Sequence, residues 1–151
     1  MSFSQLLKNF REMNRQEIKI SFDAPLLYID EERRIVKCTM RGTLLLPKNV
    51  AKSLGFDTEV KVIARSSATC KEDDTFSAEK GVKIAVAKTE ANAYRNASDR
   101  LIRAWYRGND CIVDYIESPE HPTLNSYVNA FARKANGCIE HNKRYVAQIG
   151  G

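Results

Sequence analysis

The sequence predicts an α+β fold: an N-terminal antiparallel β-sheet followed by a long and a shorter C-terminal α-helix. Three observations predict it. Between residues 17 and 70, short runs alternate apolar and polar side chains and are broken by turn residues, the pattern of half-buried strands. From 77 to 107 the apolar positions recur at helical spacing with no proline. A second helical stretch opens at the prolines Pro119 and Pro122 and covers 119–136. At 151 residues, 43% hydrophobic and 28% charged, the chain reads as one domain, 1–151, large enough to bury a core without staples.

The elements follow in order. Phe3, Leu6, Leu7, Phe10 and Met13 mark a short amphipathic helix over 1–14. Ile18, Ile20 and Phe22 alternate with Lys19 and Ser21 as a strand that Pro25 ends. Residues 26–29 and 34–40 form a hairpin across the polar turn Asp30-Glu31-Glu32-Arg33. Thr43 to Leu46 is a strand, and Pro47 opens a short helix with Val50, Ala51 and Leu54 on its apolar face. Gly55 stops that helix, and Glu59 to Ala64 is the next strand. Ser77 caps the long helix over 77–107, with Glu79 suited to its positive end. Cys111 to Ile116 reads as a short strand. Leu124, Tyr127, Val128, Phe131 and Ala135 give the second helix its apolar face, and Gly137 is its expected stop. The tail 138–151 is ambiguous, with a final strand at Tyr145–Ile149 as one reading.

Charge concentrates on the long helix. Between Ala78 and Arg107 it carries a balance of +4, against +5 for the whole chain. A pI near 9.1 suits an anionic partner or a solvated basic surface. Cys38, Cys70, Cys111 and Cys138 are far apart and form no C-x-x-C pair. The N-terminus lacks the apolar run of a signal peptide, so the expectation is a reducing cytoplasm with free thiols, and no membrane span. Cys138 and His141 are the one close Cys/His pair, too few for a tetrahedral metal site, so no metal and no cofactor are expected. There is no G-x-S-x-G elbow, no P-loop and no G-x-G-x-x-G, and Asp73-Asp74 read as turn and capping groups. The chain is therefore read as a binder, not an enzyme.

The candidate site is a polar stripe on the long helix. Lys88, Asn92, Asn96, Asp99 and Arg103 share one face, with Arg95, Arg100 and Arg107 on neighbouring faces. Asparagine amides and arginine forks suit base edges and phosphates, and Phe76 or Trp105 could stack on a base. The competing reading is a solvated face. The expected ligand-binding set is Phe76, Lys88, Asn92, Asn96, Arg100, Arg103 and Trp105. Val82, Ala85, Val86, Thr89, Ala93 and Ala97 form a stripe of small side chains. That stripe and the helix's length suggest a homo-oligomer through helices.

Two stretches resemble known families. Gly42, Leu46, Pro47, Lys48, Val50, Leu54, Gly55, Val60 and Val62 lie in a strand–short helix–strand run over 42–63. It resembles the half-motif of AbrB/MazE-type regulators, in which two chains interleave and basic residues of the sheet meet DNA. Here Thr58-Glu59 stands where that family has Gly-Asp. Cys70, Asp74, Phe76, Gly81, Ile84, Ala85 and Lys88 match a C-x3-D-x-F-x4-G-x2-I-A-x2-K pattern of small phage and prophage proteins. The layout is also similar to the Thoeris anti-defence nucleotide sponges of phages. That resemblance implies a non-catalytic, phage-type oligomer that sequesters a phosphate-bearing nucleotide signal in the host cytoplasm. The other partner classes are nucleic acid, bound by an AbrB-like regulator, and a host defence protein such as a CRISPR effector.

Overall fold

The computed structural model describes residues 2–3, 17–71, 75–109 and 124–150. Its elements are β1 (Lys19–Phe22), β2 (Leu26–Asp30), β3 (Ile35–Leu45), α1 (Lys48–Leu54), β4 (Glu59–Thr69), α2 (Ala78–Asn109) and α3 (Leu124–Ile149). This is the expected α+β order of sheet, long helix and shorter helix. The expected helix over 1–14, the strand Cys111–Ile116 and the Asp73-Asp74 turn lie outside the described residues, apart from Ser2 and Phe3.

β3 is the sheet's spine. The two strands expected at 34–40 and 43–46 are one continuous strand, because Gly42 lets it pass beneath the Phe22 ring of β1. A Cβ at Gly42 would lie 3.0 Å from that ring. On one side β3 pairs antiparallel with all of β4, from Ile35↔Thr69 to Leu45↔Glu59. On the other side it pairs end to end with β2 (Leu26↔Thr39 to Asp30↔Ile35) and β1 (Lys19↔Leu45 to Phe22↔Gly42). Arg34, at φ 59°, closes the β2–β3 turn in the left-handed region.

Period-two alternation decides the faces. Val36, Cys38, Met40 and Leu44 of β3, with Val60, Val62, Ala64 and Ala68 of β4, are buried beneath the helices. α1 sits between β3 and β4. Gly55 ends it at φ 74°, donating to Lys52 O while Phe56 N–H donates to Ala51 O at 2.9 Å. α2 packs along β4 and β3, and α3 packs along α2. The core is uneven. One end is rich in large groups, with Leu44, Leu46, Leu101, Val128 and Phe131. The other, around Val36, Cys38, Ala68 and Ala85, is built of smaller ones.

The second helix needs correction. It does not stop at Gly137, and Tyr145–Ile149 is not a strand: α3 runs unbroken from Leu124 to Ile149. Beyond Gly137 its inward positions continue as Cys138, Ile139, Asn142, Val146 and Ile149, at helical spacing. Packing on α2 outweighs the roughly 1 kcal/mol that a mid-helix glycine costs. The stop is Gly150, at φ 96°.

The small-residue stripe of α2 is used inside the molecule. Ala85, Thr89, Ala93 and Ala97 are buried within the chain, and Gly81 lies against Val36. A Cβ at Gly81 would stand 2.7 Å from Val36 Cγ2, and Val36 is fully buried. Gly81→Ala should therefore lower the thermal midpoint, although alanine favours a helix by about 1 kcal/mol, because overpacking costs roughly 1–3 kcal/mol. In a Val36→Ala background the same change should stabilise. A double-mutant cycle by chemical denaturation checks both signs.

Candidate functional site

The polar stripe of α2 lies along the outer edge of β4. Lys88 Nζ donates to Ser67 O at 2.9 Å, and Asn92 Nδ2 donates to Arg65 O at 3.4 Å. Asn96 Nδ2 donates to Ile63 O at 3.2 Å, and Arg100 Nη1 to Lys61 O at 2.8 Å. Each step is four residues up the helix and two residues down the strand. Four helical residues rise about 6.0 Å and two strand residues about 6.6 Å, so the two repeats nearly match. The small mismatch and the strand twist accumulate away from the middle. The short amides sit at the centre of the ladder and the long Lys and Arg at its ends. The odd-numbered carbonyls of β4 point away from β3, and this ladder supplies their donors.

The sequence-predicted set therefore separates. Lys88, Asn92, Asn96 and Arg100 come together, with their donors on backbone carbonyls. Arg100 also lies 5.7 Å from the Phe56 ring centroid. Arg103 is exposed further along α2. Trp105 packs on the large core cluster and edge-on to Tyr106. Phe76 lies at the opposite end of α2, about 40 Å from Trp105 at 1.5 Å per helical residue. It cannot share a small ligand with Trp105.

Two cavities adjoin at Lys88 and Val146, where the core thins from leucine to alanine. The first, about 180 Å³, lies at the start of α2 and is lined by Phe76, Ser77, Lys71, Lys80 and Lys88 among others. Ser77 Oγ accepts the Lys80 N–H at 3.3 Å, which fixes the first turn and sets Lys80 facing the end of α3. The second, about 320 Å³, lies between α2 and α3 and includes Lys88, Asn92, Arg95, Glu140, Asn142 and Lys143. Arg95 is held there by donating to Asn92 Oδ1 at 2.8 Å. Three cations and one carboxylate line the second cavity. Lys88 spends one of its three donors on Ser67 and keeps two for a ligand.

Asn142 stands out in this groove. It is 8% exposed, and its Nδ2 has no hydrogen-bond partner. An unsatisfied buried donor costs about 1–3 kcal/mol. Sequence reasoning missed Asn142, because the tail was not assigned to a helix. The available signal was a polar residue set in the apolar spacing Phe131, Ala135, Cys138, Asn142, Val146. Lys71, Lys80 and Lys143 were missed for the same tertiary reason: they belong to different elements.

Tyr94 ties α2 to α3 nearby. Its pKa is pushed up to about 12 by burial first, then by a hydrogen bond to Cys138 and the negative charges of Cys138 and Glu90. The Tyr94 ring also meets Phe22 edge-on, with centroids 5.4 Å apart.

Among the described residues nothing covers the sheet's other face. Lys37 and Arg41 of β3, Lys61 and Arg65 of β4 and Lys19 of β1 point to it, as do Tyr28 and Ile63. The register places one cation in each successive cross-strand row, in the order Lys37, Arg65, Arg41, Lys61, Lys19. Of the acids of this face, Asp30 and Glu59 fall in its two end rows, Asp23 stands opposite Arg41, and Glu17 lies 3.9 Å from Lys19.

Among the described residues no group of three or more His, Cys, Asp or Glu could hold a metal ion, and no helix is long and apolar enough to cross a membrane. The chain matches no protein-family model, no curated protein and no solved structure.

Asn96→Ala should lower stability by about 1 kcal/mol, because it leaves the Ile63 carbonyl without its donor. Urea unfolding checks this, and an Asn96 that served a ligand alone would leave the midpoint unmoved. The raised Tyr94 pKa means that the folded chain keeps a proton which the unfolded chain releases near pH 10. Its contribution is fully present below pH 10 and is lost as pH rises through about 12. The fall in melting temperature across that window should shrink in Tyr94→Phe.

Proposed function

We propose that this chain is a non-catalytic binding protein that holds a phosphate-bearing nucleotide in the paired cavities between β4, α2 and α3. The observation that carries the reading is Asn142: a buried amide nitrogen without a partner, on a residue that lines the groove with Lys88, Arg95 and Lys143. A ligand acceptor there would satisfy the amide, and the cations would meet phosphate oxygens through charge-assisted bonds. Lys71 and Lys80 extend the positive lining into the first cavity, where Phe76 offers a ring to a base. The cavities together reach the range of small-molecule sites, about 300–1,000 Å³. In the setting that the Cys70–Lys88 resemblance implies, the role is counter-defence, with the chain sequestering a host nucleotide signal.

A second reading rests on the sheet's other face. Its row of cations, with Tyr28 and Ile63 beside them, suits the phosphates and bases of a nucleic acid, which is the partner that an AbrB-like regulator implies.

Thermal shift against a nucleotide panel tests the first reading. A nucleotide at a hundredfold excess over its Kd should stabilise by about 2.7 kcal/mol, a rise of roughly 5–10 °C. Asn142→Leu should keep the free protein's midpoint or raise it, while abolishing the ligand's shift. Lys88→Gln and Lys143→Gln should each reduce the shift. No shift with any nucleotide, or a full shift in Asn142→Leu, sinks the reading. The second reading requires nucleic-acid binding that weakens with salt by a slope of about −3 to −4 for four to five neutralised phosphates. A Lys37→Gln/Arg41→Gln/Arg65→Gln variant should lose it and keep the nucleotide shift.

A further inference from the structure

The two long edges of the sheet are treated differently. The β4 edge is covered by the side-chain ladder of α2. Among the described residues the β2 edge pairs with nothing beyond β3. Its side chains Leu26, Leu27, Tyr28 and Ile29 are 59%, 42%, 61% and 43% exposed. A bare apolar edge strand is a template for another strand, and edges that stay single usually carry charge, proline or a bulge. Between Leu26 and Ile29 β2 has none of these.

Backbone directions follow from the pairings already described. The α2 ladder takes the odd-numbered carbonyls of β4, so the even-numbered residues of β3 and β4 bond each other. The odd-numbered residues of β3 then face β2, as Asp23 N–H on Arg41 O at 2.9 Å agrees. In β2, Leu26, Tyr28 and Asp30 therefore bond β3, and Leu27 and Ile29 turn their N–H and C=O groups outward.

We infer that β2 pairs antiparallel with β2 of a second copy of this chain, about a two-fold axis at Tyr28. This register sets Leu27 opposite the second copy's Ile29, and Ile29 opposite its Leu27, for four backbone hydrogen bonds. Tyr28 faces its own counterpart, and Leu26 faces Asp30. A centre at Leu27 would bring Ile29 against Pro25, which has no N–H to give. A centre at Ile29 would carry Leu27 beyond the strand to Glu31. A parallel pairing would oppose Asp30 to Asp30. Asp30 is already bound on its own chain, accepting the Arg33 N–H at 3.0 Å. The four side chains leave on the order of 400 Å² uncovered per copy, about half the share of each partner in a standard interface, so the dimer is a modest one. The pairing is independent of the nucleotide groove and joins two sheets into one.

Sedimentation of the full chain across 1–200 µM is the first test, with a concentration-dependent dimer expected. Tyr28→Lys places two like charges at the axis and should weaken association at least tenfold, with an unchanged circular dichroism spectrum. The second test is geometric. Opposed residues of a non-hydrogen-bonded pair have Cα atoms about 4.5 Å apart, within disulfide reach. Under mild oxidation Tyr28→Cys should crosslink with itself, while Leu26→Cys and the unaltered chain should not. A monomer at 200 µM, a dimer indifferent to Tyr28→Lys, or equal crosslinking of both cysteine variants overturns the inference.

Discussion

The rest of the structure depends on the match between a helix and a strand. A β4 edge left open would present its odd-numbered carbonyls to any passing chain. α2 lies along that edge because four residues of helix and two of strand advance by nearly the same distance, about 6 Å. Lys88, Asn92, Asn96 and Arg100 convert this coincidence into four hydrogen bonds. Each is modest alone, about 1 kcal/mol net. Together they set both the rotation and the sliding position of α2 against the sheet.

That rotation decides what the other faces of α2 do. With the polar stripe at the strand edge, Gly81 and Ala85 fall on Val36 and the small core cluster. Leu101 falls among Leu44, Leu46 and Phe131 in the large one. The side chains thin toward the start of α2, and the two cavities open there. The same geometry brings Lys71 and Lys80, Lys88 and Arg95, and Asn142 and Lys143, from three segments of chain, to one groove. The groove is thus the consequence of a helix seated by its polar side chains and a core that runs short of large ones.

Much of the fold was legible in the residues. Alternation marked the strands, Pro47 and Gly55 bracketed α1, and unbroken helical spacing marked α2. Two readings failed for one reason: a local preference was weighed without its tertiary partner. Gly137 looked like a helix stop, and α3 continues through it because α2 offers a surface to Cys138, Ile139, Asn142 and Val146. Residues 34–40 and 43–46 looked like two strands, and β3 runs through both, with Gly42 beneath Phe22. The predicted site was half legible. Phe76 and Lys88 line the first cavity and Asn92 the second, but Asn96 and Arg100 serve the sheet edge, and Arg103 and Trp105 lie far from Phe76.

By itself the sequence determined the class of fold, the order of its elements and the shared helix face of Lys88, Asn92, Asn96 and Arg103. Those properties are local, set by spacings of two and of three to four residues, and spacing is what a sequence displays. Only the tertiary structure decided what that face meets. Whether an asparagine on a helix donates to a ligand or to Ile63 O depends on where a strand 33 residues earlier in the chain comes to rest. It likewise decided that the unpartnered amide nitrogen belongs to Asn142, and that among the described residues the outer edge of β2 pairs with nothing. Both depend on which groups are already paired, and pairing is a property of the whole fold.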